Sequence, residues 1–185
     1  MKTRMIIVAA PSGAGKSSFV EKIASEDSRL HDVVTYTTRA MRAGESQGKP
    51  YFFISKEDFN HKKAEGFFIE CAQVHTNFYG TSFEQLQKAW DQNKVCIMDI
   101  DIQGVATFKS KFPDVKTVFI LPPSIDELRR RVIKRDGGAT PDLEVRMQNA
   151  EKEMAKAHEF DVRVVNDVFE RSFTEFKKIV ESWLR

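Results

Sequence analysis

Met5-Ile6-Ile7-Val8-Ala9-Ala10-Pro11-Ser12-Gly13-Ala14-Gly15-Lys16-Ser17-Ser18-Phe19-Val20 is the stretch on which the fold turns. Met5 to Ala9 is an unbroken apolar run, which reads as a strand buried on both faces, the habit of parallel sheets covered by helices. Pro11 to Gly15 marks a tight loop behind it. From Lys16 to Ser25, Phe19, Val20 and Ile23 recur on one helical face. A buried strand, a glycine-rich loop and a helix opening on Lys-Ser form the context of the phosphate-binding loop G-x-x-x-x-G-K-S/T. The backbone N–H groups of Ala10, Pro11 to Gly15 and the following helix start make an anion cradle, Pro11 itself contributing only its turn. Lys16 is expected to reach the β- and γ-phosphates of a nucleotide, Ser17 to offer its hydroxyl to Mg2+, and Ser18 to complete the donor contacts. The loop departs from the pattern at its first position, Ala10, where a methyl is tolerated if φ is negative.

Outward from this loop the pattern repeats. Lys94 to Ile100 and Val115 to Leu121 are further apolar strands, the latter closed by Pro122-Pro123, and Arg163 to Asn166 is a fourth. Helices fall between them. Ser82 with Gln85 and Ser124 with Glu127 are capping boxes, Thr140-Pro141 looks like an N-cap and first helical residue, and Phe173, Phe176, Ile179, Val180 and Trp183 form an amphipathic C-terminal stripe. Residues 33 to 81 break the alternation, being dense in Thr, Arg, Gly, Tyr and Phe with short strand-like pieces such as Tyr51 to Ile54. The stretch Lys134 to Thr140, with Asp136-Gly137-Gly138, reads as a mobile loop. The expected fold is α/β: a parallel sheet of the P-loop NTPase type flanked by helices, with an inserted small β-rich subdomain and a helical lid. One domain spans 1–185, with a core of about 1–32, 82–123 and 159–185, the insert at about 33–81 and the lid at about 124–158.

The chain's 185 residues suffice for one globular domain with a core, and a formal net charge of +2 is far from the basic balance of a nucleic-acid binder. Cys71 and Cys96 sit in apolar contexts and read as reduced thiols. No apolar run is long enough to cross a bilayer, and Met1 to Arg4 leads into the first strand without a leader signature. A soluble cytoplasmic protein without nucleic-acid or membrane partners is expected; oligomeric state is left open.

A phosphate loop leaves the second substrate unnamed. Asp99 ends an apolar strand, where a Walker B aspartate holds Mg2+ directly or through water. Thr37-Thr38-Arg39-Ala40-Met41-Arg42-Ala43-Gly44-Glu45, then Gly48-Lys49-Pro50-Tyr51, Phe68-Ile69-Glu70, Asn77-Phe78-Tyr79-Gly80-Thr81-Ser82 and Asp99-Ile100-Asp101-Ile102-Gln103-Gly104 follow in order. Taken singly, each has an ordinary explanation: arginines in a turn are usually solvated, and an aspartate after a strand is usually a cap. As an ordered set they resemble the guanylate kinase family, with its T-T-R-x-P-R-x-G-E, G-x-x-Y, N-x-Y-G-T-S and D-I-D-x-Q-G motifs. The resemblance extends through Pro122-Pro123-Ser124 to Asn166-Asp167 and covers nearly the whole chain.

That resemblance implies ATP and GMP (with dGMP) as substrates, Mg2+ as cofactor, and the products ADP and GDP in purine nucleotide metabolism. Arg39, Arg42, Tyr51 and Tyr79 would hold the GMP phosphate, with Glu45 bracing the arginine loop and Asp99 beside it. Thr35, Glu70, Thr81 and Asp101 would read guanine. A carboxylate accepts from both N1–H and the 2-amino group, neither of which adenine offers, and sites of this kind discriminate by roughly 10⁴–10⁵. Arg131, Arg135 and Arg146 would meet the ATP phosphates and the transferring group, and Asn166 would lie near the adenine of ATP. No general base is needed, because the acceptor phosphate is already an anionic nucleophile.

The chain departs from the family at Ala10, at Met41 for proline, at Thr35 where serine is common, at Thr76 for glycine, and at Asp136 for the glycine after Arg135. None removes a group the reaction needs. Two other readings remain: a non-catalytic module binding a phosphopeptide on the arginine pocket, which the intact Lys16-Ser17 disfavours, and a P-loop kinase for another small phosphorylated acceptor, such as a ribose phosphate.

Overall fold

A computed structural model of the chain describes residues 4–74 and 76–185. The reading of residues 1–3 as a lead-in to the first strand lies outside them. Strand β1 (Met5–Ala9) is buried at all five positions. It is the middle of a five-stranded parallel sheet, with β7 (Val95–Asp99) then β2 (Leu30–Asp32) on one side, and β8 (Lys116–Leu121) then β9 (Val162–Val165) on the other.

The pleat sends alternate residues to opposite faces. Ile6 and Val8 join Ile97, Val118 and Ile120 in one core under α1 (Lys16–Glu26), α5 (Ile125–Asp136), α6 (Leu143–Ala155) and α7 (Phe169–Trp183). Met5, Ile7 and Ala9 join Cys96, Met98 and Phe119 in a second core under α3 (Phe83–Asp91) and α4 (Ile102–Lys111). Phe19 of α1 is fully buried and its ring meets those of Phe169, Phe173 and Phe176, tying the first helix to the last. Truncating such a ring costs about 3–5 kcal/mol.

Between β2 and α3 the chain forms a second sheet of order β4-β3-β6-β5, from β3 (Thr35–Thr37), β4 (Tyr51–Phe53), β5 (Phe68–Val74) and β6 (Asn77–Ser82). Strands β3 and β4 run parallel, and the other pairings are antiparallel. The same stretch contains α2 (Lys56–Ala64), absent from the β-rich reading of it. Ser55 caps this helix by accepting the Asp58 N–H at 2.9 Å, and Phe59 stacks between Phe68 and Phe78.

Ser82 and Ser124 cap their helices as expected, accepting the N–H groups of Gln85 and Glu127 at 3.4 and 3.1 Å. Two boundaries differ from expectation. Thr140 and Pro141 lie in a turn, closed by the Leu143 N–H on the Thr140 carbonyl at 3.0 Å, so α6 begins at Leu143. The Thr140 hydroxyl is buried without a hydrogen-bond partner instead of capping a helix. The expected loop from Lys134 starts later, because α5 runs on through Asp136 and ends on Gly137, whose left-handed φ of 74° closes the last turn. No helix among the described residues is long and apolar enough to cross a membrane.

Candidate active site

The carboxyl ends of β1 and β7 open onto a crevice walled by the second sheet and by α6, where open α/β sheets take ligands. In the donor loop, Gly13 and Gly15 adopt φ of 97° and 95°, which side chains rarely reach, and a Cβ would press Val132 and Asn166 at 2.6 and 2.9 Å. Asn93 is the one non-glycine residue with positive φ among those described, so Ala10 keeps a negative φ and its methyl is accommodated. Asn166, at the end of β9, is buried and donates its side-chain amide to the Ala14 carbonyl at 2.9 Å. Ser17 Oγ donates to Asp99 Oδ2 at 2.6 Å, and the Tyr51 hydroxyl lies 3.5 Å from the same oxygen. Burial, with the Asp99 charge adding to it, pushes the Tyr51 phenol well above its ordinary value, so it faces the crevice as a donor.

Opposite the donor loop, Arg39 grips both Glu45 oxygens at 2.8 and 3.0 Å, and Glu45 Oε2 also accepts the Arg42 N–H at 2.7 Å. The Arg39 guanidinium lies 5.5 Å from the Tyr51 ring centroid, and the Tyr51 and Tyr79 rings meet edge to face at 5.8 Å. Burial, then the charges of Arg135 and Arg39, lowers the Arg42 guanidinium from its ordinary value. The antiparallel register sets Glu70 of β5 directly across from Thr81 of β6, and the parallel one sets Thr35 across from Tyr51. Glu70 is only 6% exposed and Thr81 1%. Gly104 of α4 makes the room, since a Cβ there would sit 2.6 Å from Glu70 Oε1. Burial, then the nearby Asp101, raises the Glu70 carboxyl to about 7. Asp101 caps α4 by accepting the Gln103 N–H at 3.0 Å.

The helical side supplies two cations to the crevice and keeps a third away from it. Asp136 accepts from Arg135 Nε at 2.8 Å and from Arg146 Nη1 at 2.7 Å, and Arg146 Nη2 lies 3.5 Å from Ser12 Oγ of the donor loop. Arg131 shares a helix face with Arg135 but turns elsewhere: it donates to Glu127 at 2.9 Å and to the Asn166 carbonyl at 3.0 Å, with the Asp167 carbonyl at 3.4 Å. Arg131 lines neither of the two cavities. An Arg129–Glu144 ion pair also ties α5 to α6.

Two adjoining cavities, of about 230 and 1090 Å³, occupy the crevice. Glu70, Thr35, Thr81 and Asp101 line the smaller one; Gly13, Gly15 and Ser17 line the larger. Ser12, Lys16, Arg39, Arg42, Tyr51 and Tyr79 line both. Lys16, Arg39 and Arg42 thus stand where the two cavities meet, and Glu70, Thr35, Thr81 and Asp101 line only the smaller one. Ser17 and Asp99 present hard oxygen donors side by side at a strand end, the donor type Mg2+ prefers. Among the described residues no group of three or more His, Cys, Asp or Glu is placed to hold a metal ion.

Two acids in this region escaped sequence reasoning. Glu153 of α6 lines the smaller cavity; burial, then Asp101, raises it to about 7. Its place two helical turns after Arg146 was the available signal. Asp32, at the end of β2, lines the larger cavity and is raised to about 7 by burial, then by Asp99 and Glu21; nothing in the short stretch around it marks it.

Comparison with known proteins adds the following. The guanylate kinase family model matches residues 2–183. A guanylate kinase of Bdellovibrio bacteriovorus is 70% identical over 184 residues, covering 100% of both chains. One from a Polaromonas species is 41% identical, over 96% of this chain and 86% of its own. Among solved structures, the guanylate kinase of Anaplasma phagocytophilum superposes with a TM-score of 0.80 at 28% identity, covering 99% of this chain and 87% of that one.

Proposed function

Because this chain belongs to the guanylate kinase family and is an ATP:GMP phosphotransferase, we propose a division of labour among the residues of its crevice. One observation carries the assignment: Lys16 of the donor loop, Arg39, Arg42 and Arg146, and Glu70 of the second sheet all line one cavity. ATP lies along the donor loop, its phosphates on the backbone N–H groups and Lys16. GMP lies across from it, its phosphate on Arg39, Arg42, Tyr51 and Tyr79, and its base on Glu70, Thr81, Thr35 and Asp101. Arginine forks match a phosphate's several acceptor oxygens. Residues 33–81 act as the acceptor subdomain and 124–158 as the lid.

Ser17 and Asp99 would hold Mg2+, which when bound neutralises charge on the donor's β- and γ-phosphates. The acceptor phosphate oxygen attacks in line while Lys16, Arg135 and Arg146 neutralise charge on the transferring group, so catalysis is positioning plus electrostatics. Closure of lid and acceptor subdomain excludes water and limits ATP hydrolysis. Arg131 we assign to holding the Asn166–Asp167 segment, and Asn166 to bracing the donor loop beside the adenine end. None of the base and phosphate readers requires a ribose 2′-hydroxyl, so dGMP is a second acceptor. The unpaired thiols of Cys71 and Cys96 suit a reducing cytoplasm.

A coupled assay offering GMP, dGMP, AMP, UMP and CMP tests the assignment, with Glu70→Gln and Lys16→Ala beside the parent. The parent is expected to prefer GMP and dGMP. Glu70→Gln is expected to lose about 10²-fold or more of the GMP-over-AMP preference, and Lys16→Ala about 10³-fold of kcat. An unchanged preference in Glu70→Gln would refute the base-reading role.

A further inference from the structure

We propose that Asp136 is a positioning residue for phosphoryl transfer, clasping Arg135 and Arg146 as a pair over the donor loop. The inference rests on the reading of those arginines as groups that meet the transferring phosphoryl, and its test separates the two. The family pattern that the chain resembles has glycine after the first of them, where this chain has Asp136.

The geometry is that of a bridge. Arg135 Nε and Nη2 reach Asp136 Oδ1 and Oδ2 at 2.8 and 3.3 Å, and Arg146 Nη1 reaches Oδ2 at 2.7 Å. One carboxylate spans two guanidinium groups from two helices. The Arg146 side chain is 9% exposed and that of Asp136 15%, while Arg135 at 32% forms the clasp's solvent-facing end. Its far end is aimed at the chemistry, because Arg146 Nη2 lies 3.5 Å from Ser12 Oγ. Arg135 and Arg42 line the same cavity, and the Arg135 charge disfavours the protonated Arg42, so the pair faces the acceptor-side arginines as well as the donor loop.

Two guanidinium groups held side by side repel each other, and each long side chain loses rotamer freedom when a phosphate orders it. A carboxylate shared between them offsets the repulsion and fixes both rotamers before substrate arrives. Two cations against one anion leave a net positive pair, so its pull on the phosphoryl group survives. Hydrogen bonding from Arg135, with Arg146 adding to it against some opposition from burial, holds the Asp136 carboxyl down to about 2. The clasp is therefore ionised throughout the working range. Gly137 ends the helix immediately afterwards, which keeps Asp136 in the last turn of α5, facing α6.

The test uses the full chain with ATP and GMP. Asp136→Asn keeps the side chain's size, and Asp136→Gly restores the family's residue. Both are expected to lower kcat about tenfold while the KM for GMP stays within about twofold. In the Asp136→Gly background, Arg146→Ala is expected to cost at least about fivefold less in kcat than it does in the parent, because the two residues act as a unit. A kcat in both Asp136 variants at or above the parent's, with Arg146→Ala alone still damaging, would overturn the proposal and leave the lid reading intact. So would an Arg146→Ala penalty undiminished in the Asp136→Gly background. An Arg146→Ala variant with the parent's kcat would instead sink the reading of the lid arginines, and the proposal with it.

Discussion

Glu45 and Asp136 each hold two arginines in order, Glu45 within one loop and Asp136 between two helices. Glu45 grips the Arg39 guanidinium six residues away and the Arg42 backbone three residues away, so the proposed acceptor clamp is complete within its own turn. Asp136 reaches its neighbour Arg135 and also Arg146, ten residues on and across the turn that joins α5 to α6. The first arrangement forms whenever its loop forms. The second requires α5 and α6 to be docked, and its far guanidinium already lies against the donor loop. A locally built clamp suits a pocket that must hold its substrate in the ground state. A clamp built between elements suits groups whose work depends on where those elements stand. The acceptor side is therefore expected to govern KM for GMP, and the lid side kcat.

Arg146→Ala gives the largest expected effect, a loss of about 10³-fold in kcat with little change in KM for GMP, read by steady-state kinetics. Arg39→Ala is expected to raise KM for GMP about 10²-fold and to leave kcat less affected. If both variants lose kcat and KM alike, the two sides do not divide the work.

A pH profile sharpens the contrast. The Glu70 carboxyl titrates near 7 in the fold against a usual 4.5. Its folded value is raised, so the fold favours the protonated form, and stability from this group is lost as pH rises across that interval. The guanine recognition proposed for Glu70 needs the ionised form and would move the opposite way. Thus kcat/KM for GMP should fall as pH drops below about 7, toward tenfold per unit, and Glu70→Gln should remove that step. The phosphate of GMP itself protonates near pH 6, which is why the variant is the deciding measurement. On the lid side Asp136 stays ionised down to about 2 and contributes no step over this range.

The smallest expected effect lies at the residue that braces the donor loop. Asn166→Ala removes a buried donor from the Ala14 carbonyl and should lower unfolding stability by about 1–3 kcal/mol in thermal or denaturant melts. The KM for ATP should rise with it.

The sequence made the donor half legible because the physics there is local. Met5 to Ala9 is apolar without interruption and Gly13 to Ser17 has one dominant use. Elements with little apolar content stayed hidden: β2 buries only Leu30 among its three residues, and α2 buries only Phe59. The Ser55-x-x-Asp58 spacing was a readable helix start that the surrounding aromatic residues obscured. In the site, Arg39 and Glu45 were legible as neighbours in one turn. The placing of Glu70 across from Thr81, over a glycine of α4, depends on strand register and helix packing that no spacing reveals. Asp136 was visible only as a departure from a pattern, since the bridge it makes belongs to the docking of two helices.

The donor loop lies within residues 10–18, yet the amide that secures its Ala14 carbonyl comes from Asn166, 152 residues downstream. On the ribosome, a growing chain carries every phosphate-facing N–H of that loop long before the final strand emerges to fasten it. A chain that stops short of Asn166 would hold the loop without that fastening.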